Sequence, residues 1–281
     1  ATLPVRFGIA LIPFFLADTA GARPVGKGSV AMNDTNGQRV ALVTGGATRL
    51  GRALALGLAE AGWDVAIGYR SSAEGAREVV DAVEGLGRTG LAVQADLAEA
   101  GAERSLADAV GERFGRLDLL VNSAASFRSL PLLDVDADEW DRVMAVNVRA
   151  PHLLVRACAE LLRATRGAVV NITDLSAFQA WTDYPHHAVS KAALAHLTRV
   201  QARALAPEVR VNAIAPGAVL SPDDWSEERW NVLAERAVLG RTGSPDDVLG
   251  AVLPLADASF VPGPVVPVDG GRLLGPPRPP D

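Results

Sequence analysis

A single cysteine, Cys158, stands in 281 residues. An intrachain disulfide is therefore excluded, nothing points to an oxidising compartment, and a cytoplasmic location is expected. Without activating partners nearby, Cys158 reads as a small apolar helix residue rather than a nucleophile. Positive charge is also short: 27 Lys and Arg against 33 Asp and Glu leave a net charge of −6. A nucleic-acid partner favours a basic patch, so none is expected. No apolar run is long enough for a convincing membrane span. The nearest candidate, "VRFGIALIPFFLADTAGA" at 5–22, is short and interrupted by Pro13. Its outline of one basic residue, an apolar run and small residues is that of a secretory signal peptide. Two plainer readings are preferred: an extension packed on the domain surface, or sequence upstream of a start at Met32. No membrane partner and no metal site are expected. Internal repeats are missing too, and the proline-rich end is the one low-complexity segment.

What is present is an ordinary globular composition, 49% hydrophobic and 21% charged. From Arg39 onward, short β-branched runs alternate with helical periods. "RVALVT" (39–44), "DVAIGY" (64–69), "LDLLVN" (117–122), "GAVVNIT" (167–173) and "VRVNAIAP" (209–216) read as strands. Between them lie helices, one predicted to run from the Asp136/Glu139 start to about Thr165. "SPDDVLGAVLPLA" (244–256) begins with a cap, a proline and two acids, which are helix-start signals. The alternation predicts an α/β fold, a doubly wound parallel sheet of Rossmann type in one domain. Its bounds are 39–273, with an N-terminal extension over 1–38 and a proline-rich tail over 274–281.

Chemistry is read from departures. "TGGATRLG" (44–51) sits between a strand and a helix, as a nucleotide loop does. Gly45 permits the tight turn and Gly51 close packing, with the helix N-terminus facing a pyrophosphate. Arg49 stands where the middle glycine belongs. "GYRSS" (68–72), after the second strand, offers no carboxylate to ribose hydroxyls. There Arg70 can fork onto a 2′-phosphate, with Ser71 and Ser72 as donors, so NADP(H) is expected. Either serine is also a possible helix cap. "YPHHAVSK" (184–191) has the form Tyr-x-x-x-Lys with His187 in place of the tyrosine.

Together with "VNSAASF" (121–127), "NITD" (171–174) and "APG" (215–217), these motifs resemble, in order, those of the short-chain dehydrogenase/reductase superfamily over 39–273. Arg49, the run ending in Phe127, Asp174 thirteen residues before His187, Gln179 and Tyr184 resemble its pteridine reductase branch. The resemblance implies a cofactor site of Gly45, Arg49, Leu50, Gly51, Tyr69, Arg70, Ser71, Ser72, Asp96, Leu97, Asn122, Lys191, Pro216 and Gly217. Asp96 would contact the adenine; it can equally cap a helix. The resemblance also implies a small-molecule substrate bound by Arg49, Ser126, Phe127, Asp174, Tyr184 and Trp225, with Phe127 stacking on a pterin. Trp225 and Trp230 lie where the fold carries a lid. Catalysis would fall to Asp174, His187, Lys191 and Asn147, the last supporting the lysine through a water. A homodimer or homotetramer, packed through the helices of Cys158 and Lys191, is implied as well.

The missing tyrosine leaves three readings open. A lysine favours a phenolate and disfavours an imidazolium, whereas a carboxylate favours an imidazolium. His187 and Asp174 then form an acid–base pair, with Lys191 holding the ribose. Alternatively Asp174 and a water supply the proton, assisted by Tyr184. In the third reading acid catalysis is lost and a nucleotide-binding regulatory protein remains. A ketone reductase without pterin preference is the alternative enzyme.

Overall fold

The computed structural model describes residues 38–222 and 225–275. All but the last residue of the expected N-terminal extension, and most of the tail, lie outside them.

Seven parallel strands form one sheet in the order β3-β2-β1-β4-β5-β6-β7. They are β1 (Arg39–Thr44), β2 (Trp63–Tyr69), β3 (Gly90–Gln94), β4 (Leu119–Asn122), β5 (Ala168–Ile172), β6 (Arg210–Pro216) and β7 (Val265–Val268). β1 shows why the strands read as unbroken apolar runs: both of its faces are covered. Ala41 and Val43 are buried against Leu54 and Leu58 of α1 (Arg49–Glu60), Val79 of α2 (Ala73–Gly85) and Val252 of α9 (Pro245–Asp257). Val40 and Leu42 are buried on the other face, with Leu106 of α3 (Ala102–Phe114) and Leu154 of α5 (Ala150–Ala157). Full burial of such a side chain stabilises the fold by about 1.5–3 kcal/mol.

The expected long helix is divided. Asp136 does cap its start, accepting from Glu139 N at 2.8 Å. The return bond of a capping box is not made, because the Glu139 carboxylate turns to Arg128 at 3.3 Å. α4 (Ala137–Met144) gives way to a wide π turn at Ala145–Arg149, then to α5, and after Cys158 to α6 (Ala159–Thr165). Pro151 supplies a reason for the wide turn. It has no N–H for the Asn147 carbonyl and its ring crowds that carbonyl. α7 (Pro185–Leu205) starts on a proline, as expected. The region 221–237 holds a helix of its own, α8 (Glu227–Glu235), capped by Ser226.

Strand order reverses between β1 and β4. The loops after β1, β4, β5 and β6 therefore gather at the carboxyl ends of the strands, where open α/β sheets leave a crevice.

Candidate active site

The crevice begins at the loop after β1. Thr44 is buried and its Oγ1 accepts from Ser123 N and Ala124 N, each at 3.0 Å. That pair ties the loops after β1 and β4 together. Gly45 has φ +67°, and a Cβ there would lie 3.1 Å from Ala124 Cα. A Cβ on Gly51 would lie 2.2 Å from the Gly45 carbonyl oxygen, so only glycine lets α1 start this close to the loop. Arg49 has φ 50°, the left-handed region that glycine favours. Its Nη2 donates to the Ser221 carbonyl at 3.2 Å, reaching across to the segment after β6. Thr48, at the start of α1, makes no side-chain cap bond, and the first turn carries no acid. The N-cap side chain therefore does not serve α1 as those of α4, α8 and α9 serve their helices.

At the end of β2, Tyr69 packs on the core, while Arg70 and Ser71 are exposed. Gln94 Nε2 donates to the Arg70 carbonyl at 2.9 Å, and the Arg70 guanidinium makes no ion pair with a described residue. Ser72 holds the N-cap position of α2 without a side-chain cap bond, so the expected serine cap is absent. Asp96 Oδ1 accepts from Ala98 N at 3.0 Å, closing a local turn, and Leu97 packs on the core. Asn122 is buried; its Nδ2 donates to Asn171 Oδ1 at 2.8 Å, and its own Oδ1 has no partner. Gly217 N donates to the Val268 carbonyl at 2.9 Å, holding the turn after Pro216 against β7.

Four distant segments meet at the other end of the crevice. His187 is 2% exposed. Its Nε2 lies 2.6 Å from Asp174 Oδ2 and its Nδ1 lies 3.0 Å from the Ser126 carbonyl oxygen. Asp174 Oδ1 accepts from Ser176 N at 2.8 Å and from the Ser176 hydroxyl. Burial alone would push the Asp174 carboxyl up. The bond from His187 and the charge of Lys191 outweigh it and hold the carboxyl below the usual range. Lys191 is buried, and its Nζ donates to the Ile172 carbonyl at 2.8 Å. Burial pushes this ammonium below the ordinary lysine value, opposed by Asp174. Asn147 does not bond to Lys191. Its Oδ1 accepts from Ser126 N at 2.7 Å, and its Nδ2 donates to Ser126 O at 3.1 Å and Ser190 Oγ at 2.9 Å.

Aromatic rings form one wall. Phe127 and Tyr184 stack with centroids 4.4 Å apart and planes 7° from parallel, and Phe127 meets His187 edge-on at 4.7 Å. Trp181 adds to the wall, 6.3 Å from Tyr184. Trp225 stands apart: the Arg229 guanidinium stacks on it at 3.8 Å, and no ring contact joins it to Phe127 or Tyr184. Sequence reasoning overlooked Thr44, Trp181, Ser176 and Ser190. Only Thr44 carried a signal, as the residue before the turn glycine. Among the described residues no group of three or more His, Cys, Asp or Glu could hold a metal, and no helix is long and apolar enough to cross a membrane.

Sheet order and a glycine-bounded loop at the switch point define a dinucleotide-binding α/β protein. The family model described as Enoyl-(Acyl carrier protein) reductase matches residues 45–272. The 3-oxoacyl-(acyl-carrier-protein) reductase FabG of Staphylococcus aureus is 33% identical over 240 residues, covering 83% of this chain and 98% of that one. A putative short-chain alcohol dehydrogenase from Sinorhizobium meliloti superposes with a TM-score of 0.79 at 32% identity, over 84% of this chain and 97% of that one. A blue fluorescent protein from a metagenomic library, solved with NADPH, gives 0.77 at 34% identity, over 83% and 97%. The chain belongs to the short-chain dehydrogenase/reductase superfamily and is by family an NAD(P)-dependent oxidoreductase.

Proposed function

We propose that this protein is an NADPH-dependent reductase of a C=N or C=O bond in a flat, pterin-like heterocycle. The observation that carries the reading is the aromatic wall of Phe127 and Tyr184 beside the Asp174–His187 pair. Such a wall favours a planar ring through offset stacking. Phe127 remains 53% exposed beside Tyr184, so the wall keeps an open side for a ligand ring.

The residues present fit the dinucleotide. The Gly45–Gly51 contact leaves no room for a side chain, and the start of α1 has no capping side chain, so amide donors there suit a pyrophosphate. Arg70, with no ion pair among the described residues, and the uncapping Ser71 and Ser72 suit a 2′-phosphate, which supports NADP(H) over NAD(H). Lys191 would hold the ribose, with Asp96, Leu97 and Asn122 beside the nucleoside and Pro216 and Gly217 near the nicotinamide. When bound, the cofactor supplies hydride. The chain's own part is to orient the substrate against the wall, exclude water and provide a proton. We place Arg49 over the pyrophosphate and substrate, between the loops after β1 and β6, and Ser126 at the substrate's edge. We keep Trp225 only as a lid residue. The homo-oligomer contact is placed on the helices of Cys158 and Lys191, where half-exposed Val189 and Val200 on α7 would be covered.

Likeness to FabG favours a second reading, reduction of an open-chain ketone without pterin preference. Fluorescence titration with dihydrobiopterin separates the two. Phe127→Ala should weaken pterin binding by about 0.5–1.5 kcal/mol, the worth of an aromatic stack, and leave the NADPH Kd unchanged. If dihydrobiopterin does not bind the wild-type protein, the pterin reading is lost and the ketone reading stands.

A further inference from the structure

We infer that Tyr184 hands the proton to the reduced substrate, while His187 is a positioning residue for Asp174. This rests on the reductase reading above and deepens it at the same site.

His187 has nothing left to give. Asp174 Oδ2 at 2.6 Å and the Ser126 carbonyl at 3.0 Å are both acceptors, so both ring nitrogens donate, the arrangement of an imidazolium. Asn147 Nδ2 also approaches Nδ1, at 3.3 Å, but its amide is oriented by Ser126 N, which occupies Oδ1. Its amino hydrogens serve Ser126 O and Ser190 Oγ, which in turn donates to the His187 carbonyl at 2.6 Å. Each proton on the ring thus points at a protein atom within a wall that leaves the ring 2% exposed. Presenting one to a substrate would break a charge-assisted bond and turn a packed ring. Asp174 is no better as a donor. Both of its oxygens accept, from Ser176 N, the Ser176 hydroxyl and His187, and its carboxyl is held ionised.

Tyr184 differs on each count. Its hydroxyl has no hydrogen-bond partner among the described residues, and it is only partly buried. Its ring is stacked on Phe127, which touches His187, so it stands one ring from the Asp174–His187 pair. It also holds the N-cap position of the 21-residue α7, whose first turn carries no acid.

The step balances simply. Hydride from the reduced nicotinamide bonds to the substrate carbon as the C=O or C=N π pair moves to the heteroatom. That heteroatom bonds to the Tyr184 proton, and the O–H pair stays on the phenol oxygen. Solvent then reprotonates the phenolate. The substrate gains two electrons and the nicotinamide loses two.

The test joins kinetics to a spectroscopic readout. Tyr184→Phe should lower kcat roughly a hundredfold or more, as for loss of a general acid, with NADPH Kd and circular dichroism unchanged. The alkaline limb of the wild-type kcat profile should vanish from its residual rate. His187→Gln, which retains a donor for Asp174, should lose far less rate and keep that limb. In the free protein, 15N NMR should show a proton on both nitrogens of the His187 ring, assigned by its absence in His187→Gln. Full activity in Tyr184→Phe, or a His187 ring with one bare nitrogen, overturns the inference but spares the reductase reading. A folded, NADPH-bound wild type that reduces neither pterin nor ketone overturns both.

Discussion

Arg49 occupies a backbone conformation made for glycine. At φ 50° a non-glycine residue costs about 1–2 kcal/mol. Something must hold it there, and the bond to Ser221 O across the crevice is one such tie. The substitution therefore trades backbone ease for a cation placed between two loops. Arg70 poses the opposite case, an exposed guanidinium at the end of β2 without an ion pair among the described residues. If it binds the 2′-phosphate, Arg70→Ala should weaken NADPH by about 1.5–3 kcal/mol, as for a charged hydrogen-bond partner, and barely change NADH. Equal losses for the two reduced cofactors in fluorescence titrations would remove Arg70 from the phosphate site. Asp174, Lys191 and the histidine position were readable as residue types from motif spacing. The His187–Asp174 contact was legible as well; the bonds of Ser126 and Asn147 were not, because these residues come from segments that only the sheet brings beside His187.

The helices between β4 and β5 show where one-dimensional periodicity stops. Residues 137–165 keep one helical apolar pattern, yet the structure inserts a wide turn at Ala145–Arg149 and a bend at Cys158. Pro151 was the available signal for the first. The wide turn also matters for the site, since Asn147 within it reaches both Ser126 and Ser190. Such turns are frequent at functional positions. No residue type announces the second break: Leu162 N still bonds to the Cys158 carbonyl at 3.0 Å. α9, by contrast, was legible to its cap: "SPDD" starts the helix, and there the structure adds a reciprocal box between Ser244 and Asp247. Cys158 itself is fully buried, and burial pushes its thiol up to about 12. In the unfolded chain a thiol titrates near about 8.5. Between those values the unfolded state binds fewer protons, so this group's contribution to stability is intact below about pH 8.5 and falls as pH rises. Cys158→Ala should therefore show a shallower alkaline loss of stability in urea melts than wild type. In addition, native Cys158 should resist iodoacetamide at pH 8; fast alkylation of the folded protein would contradict its burial.

For the whole molecule, the sheet was the most legible feature. Strands covered on both faces must be apolar throughout, and alternation with helices leaves few parallel topologies. The family assignment rests on the same regularity, because the loops that carry the motifs emerge at one edge of that sheet. Specificity is less legible, since it depends on which faces of Phe127 and Tyr184 remain open once they stack on each other. NADPH absorbance on adding dihydrobiopterin tests the central claim most directly. The account predicts consumption that needs dihydrobiopterin, proceeds faster with NADPH than NADH, and exceeds the rate with open-chain ketones. A folded protein that binds NADPH yet consumes none with dihydrobiopterin would contradict it.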